Sequence, residues 1–489
     1  MNNVSLQQKK LLQKDRQNNS SMNQRNPAIS KGIDWSILWI YLLLVAIGLT
    51  AIFAATYKEG DPVLQSFLRF KTDYSKQFFF FCIGLVIGFF ILLTDSKFFS
   101  ATANLGYAIG FFLLLLVFPF HSNVKGTESI IKLGAFNFQP AEFCKIFVAL
   151  ALAKYLSRPE TDFTKIRSQM IAAAIAFSPA LVAIMQHETG LALVYFSFVI
   201  VMYREGLPSV IPLIAFAVAV LVIASIIVDP NTLAIGLTAI ALLTIYFLRK
   251  PIKRNRSLLV SIVLLWFVCV GVQRFAVPYI FKNVLAKHQV ERIYDLFGKE
   301  NLYEEKKEVA PAPFEAGGDI TTSEPTASQT KKAVEAAKKK KESGSSYNVR
   351  QSKIAIGSGG LFGKGLLKAT QTRYDFVPEQ RTDFIFCTVG EGFGFVGTFL
   401  VLAIYIILLL RIVTLAERQR STFSRCYAYG VAAVFFFHIA INVSMTVGLA
   451  PVIGIPLPLI SYGGTSLLTF TILLFILVRL DADRQMVLR

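Results

Sequence analysis

Long apolar runs recur along the chain from Ile37 to Val478 and are separated by short polar segments. Of the 489 residues, 54% are hydrophobic and 43 are phenylalanine. A helix of about 20 apolar residues crosses the ~30 Å hydrocarbon core of a bilayer. Repeated runs of this kind are typical of membrane proteins rather than of a soluble core. The sequence therefore predicts an all-α integral membrane protein built as a multi-pass helical bundle.

We count about twelve candidate spans. Segments 140–156 and 189–203 are short for spans, and a short pair of this kind also fits a re-entrant hairpin, so the count is good to about two. The predicted spans are 35–56, 77–94, 100–120, 140–156, 169–185, 189–203, 207–228, 231–248, 257–281, 384–411, 426–449 and 458–480.

The spans divide the chain into five regions. A polar tail at 1–32 precedes helices one to nine, which lie within 33–281. A large loop at 282–383 follows, then helices ten to twelve within 384–480 and a second tail at 481–489. The first tail lacks the apolar core of a cleavable signal peptide, so we interpret the first apolar run as an uncleaved span.

Lysine and arginine concentrate in alternate loops, which orients the chain. Cytoplasmic loops of membrane proteins carry an excess of these residues, so both termini are predicted to be cytoplasmic and the 282–383 loop extracytoplasmic. The cations that set this pattern are Lys154, Arg158, Lys165, Arg167, Arg249, Lys250, Lys253, Arg254, Arg256, Arg411, Arg418, Arg420, Arg425, Arg479, Arg484 and Arg489.

This placement also explains the formal net charge of +19, which in a soluble protein would suggest nucleic acid. Here the cations lie in the tails and between apolar runs, so we exclude nucleic-acid binding. The five cysteines are odd in number and widely spaced. They predict neither a disulfide framework nor a zinc site.

The extracytoplasmic loop has two compositions. Residues 298–346 are rich in Glu, Lys, Ala, Ser, Thr and Pro and are predicted to be a disordered insert. Residues 347–383 carry glycines, aromatic residues and isolated charges, and we expect them to form an ordered loop over the membrane. Loops of this length are usually functional.

Polar residues interrupt apolar sequence at several points predicted to lie near the outer face. In FQPAEFCKIF, Gln139 precedes a helix-starting Pro140, and Glu142 and Lys145 share one helix face at a spacing of three. The pair fits either an interfacial anchor or a charged face of a cavity. In QHETGLAL, His187 and Glu188 fit a polar turn between two helices.

The stretch GLAPVIGIPLPLISYGG contains three prolines and cannot form a continuous helix. Irregular backbone at membrane depth is tolerated where it lines a cavity, and Ser461 and Tyr462 would supply a polar lining. In FVPEQRTDFIF, Thr382 and Asp383 precede a long apolar run and fit either helix caps or a functional site. An outward-facing cavity with apolar walls and a few charges suits an amphiphile with a polar head and a lipid tail.

Several of these motifs together resemble the SEDS family (shape, elongation, division and sporulation) over residues 34–479. The motifs are QPAEFCK, IAIGSGGLFGKG, PEQRTDFIF followed by GEGFGFVG, and GIPLPLISYGG. Members have a bundle of ten spans, so this chain adds a pair of spans within 207–281 and the 298–346 insert. GLFGKG resembles the branch that serves cell elongation and rod shape rather than the division branch, which usually has Trp after the two glycines.

The resemblance implies a peptidoglycan glycosyltransferase of the bacterial plasma membrane. Such an enzyme polymerises lipid II on the extracytoplasmic side and works with a class B penicillin-binding protein, which crosslinks the strands. The essential aspartate of the family corresponds to Asp383, and its Glu and Lys correspond to Glu142 and Lys145. The chain has Arg381 where the family usually has His, and Gln186-His187-Glu188 where it usually has Gln-Pro-Asp.

We expect Asp383 to act as the general base in an inverting displacement of undecaprenyl diphosphate. The leaving diphosphate needs cations, and the polar residues nearby would contact the substrate. A divalent cation (Mg or Mn) held by Asp383 or Glu142 is a possible cofactor, although no metal-ligand spacing is visible. The expected substrate-binding residues are Lys145, Glu142, Gln139, Arg381, Thr382, Lys364, Ser461 and Tyr462.

Three other functions stay open at this point. A lipid II flippase or other transporter also uses broken helices and membrane-embedded charges. A flippase should need polar groups through the whole depth of the membrane, whereas here they concentrate at the outer face. The remaining alternatives are the division-type enzyme of the same family and a non-catalytic scaffold for the penicillin-binding protein.

Overall fold

A computed structural model describes residues 32–57, 70, 72–120, 122–124, 127–133, 136–284, 290, 294 and 344–485. Residues 298–343 of the predicted disordered insert lie outside the part of the chain that the structure describes. Its last three predicted positions belong to a helix that begins at Gly344.

The described chain is almost entirely helical. Its helices are α1 Trp35–Thr56, α2 Asp73–Leu93, α3 Ser96–Leu115, α4 Val117–Phe120, α5 Pro140–Leu156, α6 Ile166–Met185, α7 Thr189–Tyr195, α8 Phe198–Arg204, α9 Val210–Ile227, α10 Pro230–Phe247, α11 Arg249–Arg254, α12 Ser257–Gly271 (continued by π turns to Val284), α13 Gly344–Ser358, α14 Thr370–Arg373, α15 Ile385–Glu417, α16 Thr422–Thr446 and α17 Gly464–Ala482.

Ten helices in the described residues are long and apolar enough to cross a membrane, which confirms the multi-pass helical bundle. The other two of the twelve predicted spans are shorter. Helix α5 has 17 residues, and 189–204 breaks into α7 and α8. A span count of twelve therefore stays a prediction.

Two local features differ from the sequence predictions. The last span begins at Gly464 rather than 458, because the backbone of the proline-rich segment stays irregular up to Gly463. A three-stranded antiparallel sheet, which was not predicted, precedes α5. Its strands are β1 Ser122–Val124, β2 Thr127–Leu133 and β3 Phe136–Phe138, in the order β1-β2-β3.

The core of the bundle is formed by its last two helices together with α5. The spans of α16 and α17 are 72% and 78% buried, whereas α10 has no buried residue. Helix α5 packs against α3, α6, α16 and α17. The charged face of α5 is therefore enclosed by protein and does not meet lipid.

Side-chain contacts sort the helix ends into two groups, as the alternation of basic loops predicts. At one end Arg418 bonds Asp34 and Asp481, and Arg425 bonds Glu205. At the other end the starts of α2, α5, α7, α15 and α17 come together. The assignment of the first end to the cytoplasm stays a prediction from charge.

Two glycine-rich motifs of the sequence bond to each other backbone to backbone. The Phe395 amide donates to the Gly360 carbonyl (2.8 Å) and the Lys364 amide donates to the Glu391 carbonyl (3.0 Å). Helix α15 breaks locally at Gly394, where φ is +67°, and a Cβ there would lie 2.3 Å from the Gly363 nitrogen. Only glycine fits this approach, so the segment after α13 is fixed against the start of α15.

Candidate active site

Asp383 lies two residues before α15, at the end of the ordered loop. The helix begins at Ile385 and its cap position is Phe384, with no capping bond from that side chain. The Thr382 hydroxyl donates instead to the Glu379 carboxylate (3.1 Å). The interpretation of Thr382 as a helix cap is therefore wrong. Asp383 itself is half-buried and belongs to the turn that precedes the helix.

The proline-rich segment, residues 448–463, docks onto this turn. The Ser461 hydroxyl donates to the Thr382 carbonyl (2.6 Å), and the Tyr462 amide donates to the Arg381 carbonyl (2.8 Å). At Gly454, where φ is +78°, a Cβ would lie 3.4 Å from Oδ2 of Asp383. The carboxylate thus sits directly against the irregular backbone that the prolines create.

Two polar side chains one turn apart on α16 hold this backbone in place. Asn442 donates to the carbonyls of Asp383 (2.8 Å) and Ile455 (2.6 Å). His438 Nδ1 lies 3.2 Å from the Pro456 carbonyl. Residues four apart on a helix are about 6 Å apart along its axis. One face of α16 therefore carries both the backbone of Asp383 and the proline-rich segment.

The predicted Glu142–Lys145 pair is formed and is completely buried. Lys145 Nζ donates to Glu142 Oε2 (2.7 Å) and lies 2.8 Å from His438 Nε2. A lysine ammonium only donates hydrogen bonds, so Nε2 must accept and Nδ1 must carry the proton given to Pro456. The geometry therefore assigns a neutral His438. It links the buried ion pair to the proline-rich segment.

A second polar cluster joins the sheet to the turn between α6 and α7. Ser129 and Gln139 both donate to Glu188 Oε1, at 2.5 and 3.2 Å. Glu188 is also the cap residue of α7, and His187 occupies the turn with a φ of +62°. The predicted polar turn is present. Gln139 contacts Glu188 rather than capping α5.

Arg381 forms a charged cluster on the accessible side of the turn. It donates to Asp73 (2.9 Å) and Asp375 (3.4 Å). Partial burial opposes its charge, but these two carboxylates outweigh that effect and raise the pKa of Arg381 above its ordinary value. Burial, followed by the nearby Asp73 carboxylate, raises the pKa of Tyr462 to about 12. Arg381 therefore remains a cation and Tyr462 a neutral phenol.

Lys364 is committed to a buried carboxylate on α15. Its Nζ lies 3.0 Å from Glu391 Oε1, which also accepts the backbone amides of Thr370 (2.8 Å) and Gln371 (2.9 Å). Glu391 Oε2 accepts the amide of Thr372 at 2.9 Å. This carboxylate accepts the backbone amides at the start of α14, which have no partner within the helix. It thereby secures the loop that ends in Asp383.

Comparison with known proteins identifies the family. The family described as cell cycle protein, named for FtsW, RodA and SpoVE, matches residues 34–245 and 323–486. The chain belongs to the SEDS family. The match leaves out residues 246–322, which contain the basic segment after α10, helix α12 and most of the predicted insert.

Curated relatives and a solved structure agree with this family assignment. The peptidoglycan glycosyltransferase MrdB of Escherichia coli K12 is 29% identical over 83% of this chain and 84% of its own. The peptidoglycan glycosyltransferase RodA of Treponema pallidum is 28% identical over 92% of this chain and 97% of its own. A chain from a peptidoglycan synthase complex, described as coordinating polymerization and crosslinking, has the same fold. Its TM-score is 0.59 at 21% identity, over 93% of this chain and 99% of that one.

Sequence reasoning missed four residues of this SEDS site: Asp73, Glu391, His438 and Asn442. His438 and Asn442 do carry a signal, because polar side chains within an apolar span are expected to be functional. Glu391 carries the same signal, because it is a carboxylate within the apolar α15, whereas Asp73 carries none, since its partner Arg381 is distant in sequence. Among the described residues, no group of three or more His, Cys, Asp or Glu side chains is close enough to hold a metal ion.

Proposed function

We propose that this protein polymerises lipid II into glycan strands and that Asp383 is the general base. Its curated relatives are named peptidoglycan glycosyltransferases, and it is an enzyme of that class. The observation that carries the assignment of the site is the convergence on α16. There His438 and Asn442 join the buried Glu142–Lys145 pair, the proline-rich segment and the Asp383 turn.

In the proposed step, the Asp383 carboxylate takes the proton of the acceptor sugar hydroxyl. The hydroxyl oxygen forms a bond to the anomeric carbon of the second lipid II molecule. The bond from that carbon to the diphosphate oxygen breaks, and undecaprenyl diphosphate leaves with the electron pair. A single displacement of this kind inverts the anomeric centre. Asp383 is half-buried, so a hydroxyl can reach it.

The leaving diphosphate gains negative charge and needs fixed cations. Arg381 is partly exposed and two residues from Asp383, so we place it beside the diphosphate. Lys145 is fully buried and contributes a positive charge behind the proline-rich segment rather than a surface contact. Lys364 is held by Glu391, and we now assign it to securing the loop.

A divalent cation fits this site only with ligands from the substrate. Asp383 offers a half-buried carboxylate, whereas Glu142 is fully buried and paired with Lys145, and the described residues hold no cluster of three or more metal-binding side chains. Mg²⁺ is commonly held by one or two carboxylates together with substrate phosphates. Such an ion would neutralise charge on the leaving diphosphate, and Asp383 would then be shared between ion and proton transfer.

We further propose an elongation role in the bacterial plasma membrane, with a class B penicillin-binding protein as partner. The loop of Asp383 is then extracytoplasmic and both termini are cytoplasmic, as the basic loops favour. The resemblance of GLFGKG to the elongation branch supports this role. A division role of the FtsW type is the alternative within the family.

The test is polymerisation of labelled lipid II by the purified protein with its partner synthase, with and without divalent cations. We expect glycan chains from the parent. The variant Asp383→Asn should lose polymerisation, whereas the matched carboxylate-to-amide control Asp162→Asn, in the loop between α5 and α6 at the opposite end, should behave like the parent.

Lipid II translocation in proteoliposomes is measured in parallel. A flippase would move the head group without making polymer. Translocation without any polymer from the parent protein would overturn the proposal.

A further inference from the structure

The unit formed by α10, α11 and α12 ends in a cluster of cations that nothing in the site explains. We call Arg249, Lys250, Lys253, Arg254 and Arg256 the basic tip. All five side chains are exposed, and they lie within eight consecutive residues. Helix α11, which carries four of them, has no buried residue.

The basic tip has no acidic neighbour in sequence. No Asp or Glu occurs between Asp229 and Glu291. Within the described part of the chain, none of the five cations forms an ion pair. Arginines elsewhere at the same end of the bundle do pair: Arg204 with Glu417, and Arg425 with Glu205. The basic tip is therefore an uncompensated positive patch.

The helices that present the basic tip are suited to lipid contact. Trp266 donates to Thr238 (3.1 Å) and Gln273 donates to the Pro230 carbonyl (2.6 Å), which ties α10 and α12 together. Their remaining faces are apolar and exposed, since α10 has no buried residue and the span of α12 is 6% buried. The side of the unit is thus covered by acyl chains, which brings the tip to the head groups.

We propose that the basic tip binds acidic phospholipids of the adjacent leaflet through their phosphates. Clusters of four to eight cations directly beside a membrane helix attract anionic lipid, and guanidinium groups bind phosphate in a bidentate manner. Arg249 also lies 4.9 Å from the ring centroid of Tyr246, which holds its guanidinium at the membrane interface. The site lies outside the residues matched by the family.

The same cations also help to orient the chain, so the test must separate orientation from lipid binding. An orienting charge acts during insertion and needs no lipid afterwards. The loop that contains Arg158, Lys165 and Arg167 serves as the matched comparison, because it also has exposed cations but includes Glu160 and Asp162. If the basic tip is a lipid site, removing three charges from it should have an effect that removing three charges from that loop does not.

The experiment compares two triple variants of the full chain in nanodiscs that contain phosphatidylglycerol and phosphatidylcholine. One is Lys250→Gln, Lys253→Gln and Arg254→Gln, and the other is Arg158→Gln, Lys165→Gln and Arg167→Gln. Nanodiscs expose both faces, so the result does not depend on orientation. Native mass spectrometry and lipid analysis after release measure the enrichment of phosphatidylglycerol.

We expect the parent to enrich phosphatidylglycerol, and we expect this enrichment to fall at least about tenfold in the first variant, which removes three cations. The second variant should change it less than about twofold, and raising the salt concentration should weaken the enrichment in the parent. Equal losses in the two variants, or unchanged enrichment in the first, would overturn the proposal. Unchanged lipid enrichment together with binding of an acidic peptide at the tip would assign the site to a protein partner instead.

Discussion

The buried Glu142–Lys145 pair allows its structural and catalytic contributions to be separated. Three variants are compared: Glu142→Gln, Lys145→Met, and the two together. Each single change leaves one charged group without its partner at a completely buried position. The double change removes both charges and keeps similar side-chain volumes.

The structure sets the expected magnitudes. Removing one partner of a buried ion pair costs about 3–5 kcal/mol, whereas replacing both by well-packed hydrophobic residues of similar volume is often neutral or stabilising, and the double variant approaches that case because it leaves no buried charge. His438 Nε2 loses its 2.8 Å partner in the double variant, which adds about 1–3 kcal/mol for an unsatisfied buried group. We therefore expect the singles to be clearly destabilised and the double variant to recover part of that loss.

Activity should not follow stability. Thermal unfolding in detergent gives the order of stability, and polymerisation of labelled lipid II gives the activity of the same samples. We expect the rate of glycan synthesis to fall about 100-fold or more in all three variants. This is the size of the loss expected when one essential catalytic group is removed. If the double variant recovers both stability and polymerisation, the pair is only an anchor for α5 and the reasoning is refuted.

Three further variants test other parts of the site. Gly454→Ala forces a side chain into a positive-φ position and places a Cβ beside Asp383, so polymerisation should fall at least tenfold. Its control is Gly206→Ala near the opposite end, where φ is +108° and the nearest atom to the new Cβ is 4.0 Å away. This control should be strained but active. Asn442→Leu removes two hydrogen bonds to backbone carbonyls and should lower the free energy of unfolding by about 2–4 kcal/mol. It should also release the Asp383 turn, and hydrogen exchange at the backbone amides of that turn should then be faster than in the parent. Glu391→Gln leaves one acceptor oxygen for three backbone amides, so limited proteolysis should cut the loop before α15 sooner than in the parent. Equal cleavage rates would contradict the role of Glu391 in securing that loop.

Much of the architecture followed from the sequence, because a bilayer admits few solutions. Apolar runs of span length must form helices, and alternating basic loops sort their ends. The Glu142–Lys145 face was also predictable, since both residues lie on one helix and their spacing is local. The short sheet before α5 was not predicted, because its strands are brief and carry no clear alternation.

Contacts between helices that are far apart along the chain could not be predicted from the sequence. Arg381 meets Asp73, which is 308 positions away, and Lys145 meets His438, which is 293 positions away. Periodicity and spacing describe one helix at a time and do not give the packing that joins two. The same limit applies to Lys364. Its charge predicted a substrate contact, but nothing in its spacing along the chain indicated the ion pair with Glu391. The sequence places Thr382 at the cap of α15, whereas the true start of that helix at Ile385 depends on the fold of the preceding turn.

The most direct test of the central claim is Asp383→Asn, with lipid II binding and polymerisation measured on the same reconstituted sample. The amide keeps the shape of the side chain and cannot accept the hydroxyl proton in the way a carboxylate does. We predict lipid II binding within about threefold of the parent and polymerisation reduced by about 100- to 10,000-fold. Polymerisation near the parental rate, or a loss explained entirely by lost binding, would contradict the assignment of Asp383 as the general base.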